Sequence, residues 1–125
     1  MKFLVIVKGS KSCEAGEPPS AESIAAMGQY NDALAKAGVL LACEALHPTS
    51  EGKRVRLADK SCTVTDGPFT ETKELVSGYW LWECASMQEA EAWARKCPNP
   101  HPEQPFDIEI RRIRQVDGLS QSRAA

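Results

Sequence analysis

The chain is poor in the residues that hold metals: its 125 positions include two histidines, His47 and His101, and five cysteines with no Cys-x-x-Cys spacing. That spacing leaves no zinc knuckle, and an odd number of scattered thiols (Cys13, Cys43, Cys62, Cys84 and Cys97) fits reduced cysteines better than a disulfide framework. No P-loop, G-x-G-x-x-G, H-E-x-x-H, G-x-S-x-G or EF-hand pattern occurs, so nucleotide, zinc-protease and esterase chemistries have no support. The expectation is a protein without metal or cofactor. Nowhere does an apolar run approach the roughly 20 residues that span a bilayer. The short run at residues 3–7 ends at Lys8-Gly9 with no small-residue cleavage site, which argues against a secretory signal and for a cytoplasmic protein. Charge of one sign is lacking too. With 15 Lys+Arg against 17 Asp+Glu the net charge is −2, without the basic excess that releases phosphate counterions, and nucleic acid is not an expected partner.

What is present suits one domain over residues 1–116, with a small, polar tail at 117–125 expected to fray. Folding at this length removes roughly two-thirds of the extended chain's surface from water, enough for a core without staples. Residues 3–7 are β-branched and aromatic and read as a strand, followed by Gly-, Ser- and Pro-rich loop chemistry at 10–19. Ser20 caps a helix whose apolar positions Ile24, Met27, Tyr30, Leu34 and Ala37 recur at three- and four-residue spacing until Gly38. A strand is expected at 39–46, a hairpin from 54–57 and 62–65 around Ala58-Asp59-Lys60, and a strand at 78–85. Ser86-Met87-Gln88-Glu89 is a capping box that opens a helix reaching Cys97. Half of the eight prolines then fall in 98–105, which reads as an extended linker before a last strand at 106–113.

This order, β-α-β-(hairpin)-β-α-β, is the α+β, ferredoxin-like βαββαβ arrangement, with two helices on one face of an antiparallel sheet. The opposite face should then be polar, yet both alternating sets are apolar: Phe3, Val5, Val7 with Leu4, Ile6, and Trp80, Trp82 with Tyr79, Leu81. Residues 39–46 repeat the pattern, with Leu41, Cys43 and Ala45 as one set and Leu40, Ala42 and Leu46 as the other. Two helices cover one face only. Either a long loop covers the other or a second copy does, making a homodimer through the sheet faces.

Glu44 and Glu83 fall on apolar strand faces, where a carboxylate is either a desolvated acid/base candidate or a rim charge that reaches water. His47 lies three residues from Glu44, an odd offset that points the two side chains to opposite faces of a strand. His101, within the proline segment, is expected to be exposed. Arg111, Arg112 and Arg114 read as a solvated strand end rather than an anion site. The most unusual stretch is 66–74, where Asp66, Glu71, Lys73 and Glu74 crowd around an Asp-Gly-Pro-Phe turn. These groups offer acid, base and cation in short reach, or else Asp66 satisfies the turn's own backbone while the others are solvated.

The run Asp66-Gly67-Pro68-Phe69-Thr70-Glu71-Thr72-Lys73-Glu74, with Gly78-Tyr79-Trp80 after it and Glu44-Ala45-Leu46 before it, strongly resembles the DGPF-domain proteins of the YCII-related group. That resemblance implies a ferredoxin-like protomer assembled as a dimeric α/β barrel, consistent with the two-sided apolar strands. It carries Asp66, Phe69, Glu71, Lys73 and Glu74 over as ligand-binding candidates; the candidate catalytic groups are Asp66 from this run and Glu44 from its place on an apolar strand face. It also implies a sigma factor as a protein partner, because DGPF proteins are best known beside, or fused to, extracytoplasmic-function sigma factors. YCII-like relatives have a suggested His–Asp active site with the His on the first helix. This chain has no His between Ile24 and Gly38, so that role does not transfer. Three readings compete: a non-catalytic or regulatory module with a small-molecule cleft near the turn, a cofactor-independent enzyme using Asp66 or Glu44 on a small polar substrate, and a motif that only stabilises fold and dimer.

Overall fold

A computed structural model describes residues 1–71 and 74–115. Lys73 and the tail at 117–125 lie outside the described residues. Four strands, β1 (Lys2–Lys8), β2 (Leu40–Ala45), β5 (Val76–Glu83) and β6 (Ile108–Arg112), form an antiparallel sheet in the order β2-β5-β1-β6. Strands β3 (Lys53–Ala58) and β4 (Ser61–Asp66) make a separate two-stranded ribbon. The helices are α1 (Lys11–Glu14), α2 (Ala21–Lys36) and α3 (Met87–Ala94). Each long helix joins two strands separated by one other, β1 to β2 across β5 and β5 to β6 across β1, so the split βαβ topology expected from the sequence is present.

Local chemistry sets the boundaries. Ser20 accepts from the Ser23 N–H at 3.1 Å to start α2, and Gly38, at φ 75, follows its last turn. Ser86 does the same for α3 through the Glu89 N–H, while the Glu89 carboxylate accepts from the Ala85 N–H at 2.8 Å, one residue before the N-cap, in a variant of the expected capping box. The ribbon turns at Asp59, whose φ of 42 is tolerated by an Asp in a two-residue turn.

The core lies between the sheet and the two long helices. Phe3 faces Trp82 and Val5 faces Trp80 across β1 and β5, and Tyr30 and Leu34 of α2 and Ala90 of α3 close over them. Phe3, Val5, Leu34 and Trp82 are the largest fully buried side chains, each stabilising the fold by roughly 1.5–3 kcal/mol through lost contact with water. On the far side of the same strands, Leu4 opposes Leu81 and Ile6 opposes Tyr79, all half-buried. The two-sided apolar pattern is therefore present in the protomer.

Three expectations need correction. The loop at 10–19 contains a helical turn, α1, capped by Ser10. Strand β2 carries a bulge: Leu40 opposes Trp82 and Ala42 opposes Leu81, so Leu41 is the extra residue and Leu40 packs against the core instead of sharing a face with Ala42. The proline segment is compact rather than extended. Asn99 accepts from the His101 N–H at 2.9 Å and donates to the Gln104 carbonyl at 2.6 Å, and Gln104 donates to Ser12 on α1 at 2.9 Å. His101, expected to be exposed, is consequently 9% exposed.

Candidate functional site

The folded proline segment and α1 together enclose a cleft of about 360 Å³ at the end of the sheet where β2 stops and β5 begins. Val7, Met27 and Trp80 line it from β1, α2 and β5. Trp80 is fixed in place because its indole donates to Asn31 Oδ1 at 2.8 Å and its ring meets Tyr30 edge-on at 5.8 Å. Cys13, Gly16 and Pro19 contribute one wall; Cys43, Ala45 and Leu46 contribute another. The polar groups in the lining are few: Glu17, Glu44, Ser77, His47 and His101. A larger hollow of about 470 Å³ beside Met1, Lys2, Glu83 and Arg112 has a more polar lining, and we favour the apolar, multi-element cleft as the ligand site because apolar walls with a few polar groups suit a small organic molecule.

Each imidazole at the cleft has a carboxylate within 4 Å. His101 Nδ1 lies 3.7 Å from Glu103 and His47 Nδ1 lies 3.4 Å from Glu51. His101 is the enclosed one; the His47 side chain is 84% exposed at the mouth. Glu44 opposes Tyr79 on the sheet's outer side and lies on the exposed rim. Burial raises the pKa of the Cys43 thiol above its ordinary value and Glu44 adds to the shift, with an opposing hydrogen bond from Asn31, which disfavours a thiolate at that wall. Among the described residues no cluster of three His, Cys, Asp or Glu side chains is arranged to hold a metal ion.

The Asp-Gly-Pro-Phe turn stands behind the cleft rather than in its lining. The Gly67 N–H donates to the Gly52 carbonyl at 3.0 Å, and a Cβ on Gly67 would overlap the Thr49 carbonyl. The Phe69 N–H donates to Thr49 Oγ1 at 3.0 Å, while Thr49 in turn donates its hydroxyl and its N–H to the Glu14 carboxylate of α1. Arg54 stacks over the Phe69 ring at 3.9 Å. Asp66 pairs with Lys53 at 2.5 Å, its side chain 76% exposed, and Glu71 and Glu74 are exposed. A chain of contacts thus runs from the turn through Thr49 to α1, whose other side carries Cys13 into the cleft. Of the candidate residues, the cleft brings in Glu44; Asp66, Phe69, Glu71 and Glu74 fall outside its lining. Glu83, the other strand carboxylate, accepts from the N-terminal amine at 2.6 Å, and that bond holds its carboxyl below the usual range.

His101, Cys13 and Glu17 were missed by pattern reading. The Asn99-Pro100-His101 sequence does carry a signal for His101, since an Asn side chain readily bonds the backbone two residues on and folds such a segment back.

An antiparallel ferredoxin-like sheet with helices on one face and a cleft at its open end defines the class of this protein: a small α+β chain of split βαβ topology. The YCII-related domain matches residues 1–115, and the chain belongs to that family. A curated relative, an uncharacterised protein (R00369) from Rhizobium meliloti strain 1021, is 40% identical over 67 residues, an alignment spanning 54% of each chain, about half the relative's length. Among solved structures, the 5-chloro-2-hydroxyhydroquinone dehydrochlorinase TftG from Burkholderia phenoliruptrix AC1100, in complex with 2,5-dihydroxybenzoquinone, superposes over 96% of this chain and 100% of its own with a TM-score of 0.52 and 16% identity. That likeness shows the shared fold. No helix among the described residues is long and apolar enough to cross a membrane.

Proposed function

We propose that the protein is a homodimeric module that binds a small organic molecule in the cleft beside His101. The observation that carries this reading is the cleft itself: five elements and a folded proline turn converge on an apolar space of about 360 Å³ with a handful of polar groups, the composition by which small-molecule sites are recognised. The dimer follows from the outer sheet face, where Leu4, Ile6, Tyr79 and Leu81 form a contiguous apolar strip that a two-fold mate would cover. The Asp-Gly-Pro-Phe turn supports the site from behind, through the Phe69 bond to Thr49 and the Thr49 bonds to Glu14.

A second reading, acid–base catalysis without a cofactor, is favoured by one arrangement: a carboxylate residue, Glu44, and an imidazole residue, His101, both belong to the lining of the same cleft. In that reading His101 takes the place proposed from sequence for Asp66.

The test is a thermal-shift screen of metabolites against the wild type and Ala45→Trp, a substitution on an exposed wall that fills the cleft without touching the core. A ligand at a hundredfold excess over its Kd raises stability by roughly 2.7 kcal/mol. Compounds that stabilise the wild type and leave Ala45→Trp unmoved support the site; compounds that stabilise both equally refute it. A screening hit consumed by the wild type but bound intact by His101→Gln selects the catalytic reading.

A further inference from the structure

We propose that the β3–β4 ribbon is an arm that lies on a second copy of this chain, along its edge strand β2 and over the mouth of its cleft; the inference rests on the homodimer and the cleft of the reading above. The register sorts the ribbon into two faces. Val55 opposes Val64 and Leu57 opposes Cys62 on one, while Arg54 opposes Thr65 and Arg56 opposes Thr63 on the other. An apolar face backed by a polar one is the pattern of a ribbon that covers something. Among the described residues of its own protomer that face is bare. Every residue of both strands is exposed, Leu57 by 79%, and Val55 and Val64 by more than half.

A two-stranded ribbon alone is marginally stable in water, so its apolar face calls for a surface. The base is fixed, because the Gly67 N–H donates to the Gly52 carbonyl and Arg54 stacks over Phe69. From there six residues per strand span roughly 20 Å to the tip. Area and charge favour a second copy as the occupant. Leu4, Ile6, Tyr79 and Leu81, already half-buried, supply only part of the roughly 800 Å² per partner that a stable interface buries, and an exchanged pair of arms adds its apolar face twice. Charge chooses between the two edges of the sheet. With Lys53 paired to Asp66, the arm keeps Arg54, Arg56 and Lys60 against Asp59. Strand β6 carries Arg111 and Arg112 against Glu109 and would repel it, whereas Glu44 is the single charge on β2. Beside Glu44, Leu41 and Leu46 are each about half exposed, an apolar landing on an edge strand with one open side. Because Leu46 also lines the cleft, an arm seated there closes the mouth, and two chains complete the binding space.

The experiment joins a dilution series to a cross-link, both in the full-length protein. Leu57→Asp, at an exposed position outside the core, should raise the concentration at which dimers dissociate by at least about tenfold in analytical ultracentrifugation. Thr63→Asn on the polar face should leave it as in wild type. For the cross-link, Leu46→Cys is made in a Cys43→Ser background that keeps the native, exposed Cys62 on the arm. A short bismaleimide should then join two chains, and should fail to join them when Cys62→Ser is added or Leu46→Cys is left out. A Leu57→Asp protein that dimerises as tightly as wild type overturns the arm and leaves the sheet-to-sheet dimer standing. Dissociation by Leu57→Asp without the interchain cross-link overturns the place of the arm over the cleft. A wild type that is monomeric at micromolar concentration removes the dimer itself, and the arm with it.

Discussion

Trp80 and Asn31 tie the sheet to helix α2: the indole N–H donates to the amide oxygen at 2.8 Å, from a tryptophan that is almost completely enclosed. The bond fixes the orientation of a ring that serves the core on one side and the cleft on the other.

Replacing Asn31 by Ala therefore strands a buried donor. Such a loss costs roughly 1–3 kcal/mol, and urea denaturation should show a midpoint lowered accordingly with an unchanged slope. An Asn31→Ala protein as stable as wild type would mean that the indole finds water instead.

Within the Asp-Gly-Pro-Phe turn the two neighbouring positions should behave differently. Gly67→Ala drives a methyl group into the Thr49 carbonyl and is expected to destabilise the protein by roughly 1–3 kcal/mol, as overpacking does. Asp66→Ala removes only an exposed ion pair with Lys53 and should change stability by less than about 1 kcal/mol. Thermal melts of both variants separate these outcomes, and equal losses would contradict the packing described for the turn.

Assembly can be checked with one substitution on each side of β1 and β5. Leu81→Asp lies on the half-buried outer face and should leave a folded protein of half the mass in light scattering, whereas Val5→Asp, at 0% exposure in the core, should unfold the chain. A wild type that scatters as a compact monomer at micromolar concentration would refute the dimer.

The thiols offer a pH-dependent readout. All five should titrate as free after denaturation without reductant; in the native protein the exposed Cys62 should react first, and Cys84 and Cys97, whose thiols burial pushes up, last. Burial, with a smaller contribution from nearby Cys43, pushes the Cys97 thiol up to about 12 from an ordinary value of 9.0. Between those values the unfolded chain releases this proton and the native protein keeps it, so stability falls as pH rises through that window. Cys97→Ala should flatten the alkaline limb of a stability–pH profile.

Much of the fold was legible because periodicity reports burial directly. The 3.6-residue repeat through Met27, Tyr30 and Leu34 fixes α2, although its first expected member, Ile24, is 58% exposed, and the ribbon is written in strand–turn–strand form around Asp59. Short or irregular features escape that signal. A four-residue helix such as α1 has no period to detect, and the bulge at Leu41 shifts facing by one residue without altering composition. The site was less legible than the fold. Crowded charges made the 66–74 stretch conspicuous, whereas His101 enters the cleft through side-chain-to-backbone bonds of Asn99 and Gln104 that join it to Ser12, a contact across most of the chain.

That long-range closure gives the cleft a place in time. Its lining begins at Val7 and ends at His101, and the turn that carries His101 leads directly into β6, which zips onto β1 near the N-terminus. During synthesis from the ribosome, β1, α2 and the ribbon all emerge before the residues that finish the binding space, and contacts of such high sequence separation form late. A nascent or C-terminally truncated chain therefore exposes Trp80 and the Cys13 wall without a complete pocket, and ligand retention becomes a marker that translation has run past Pro105.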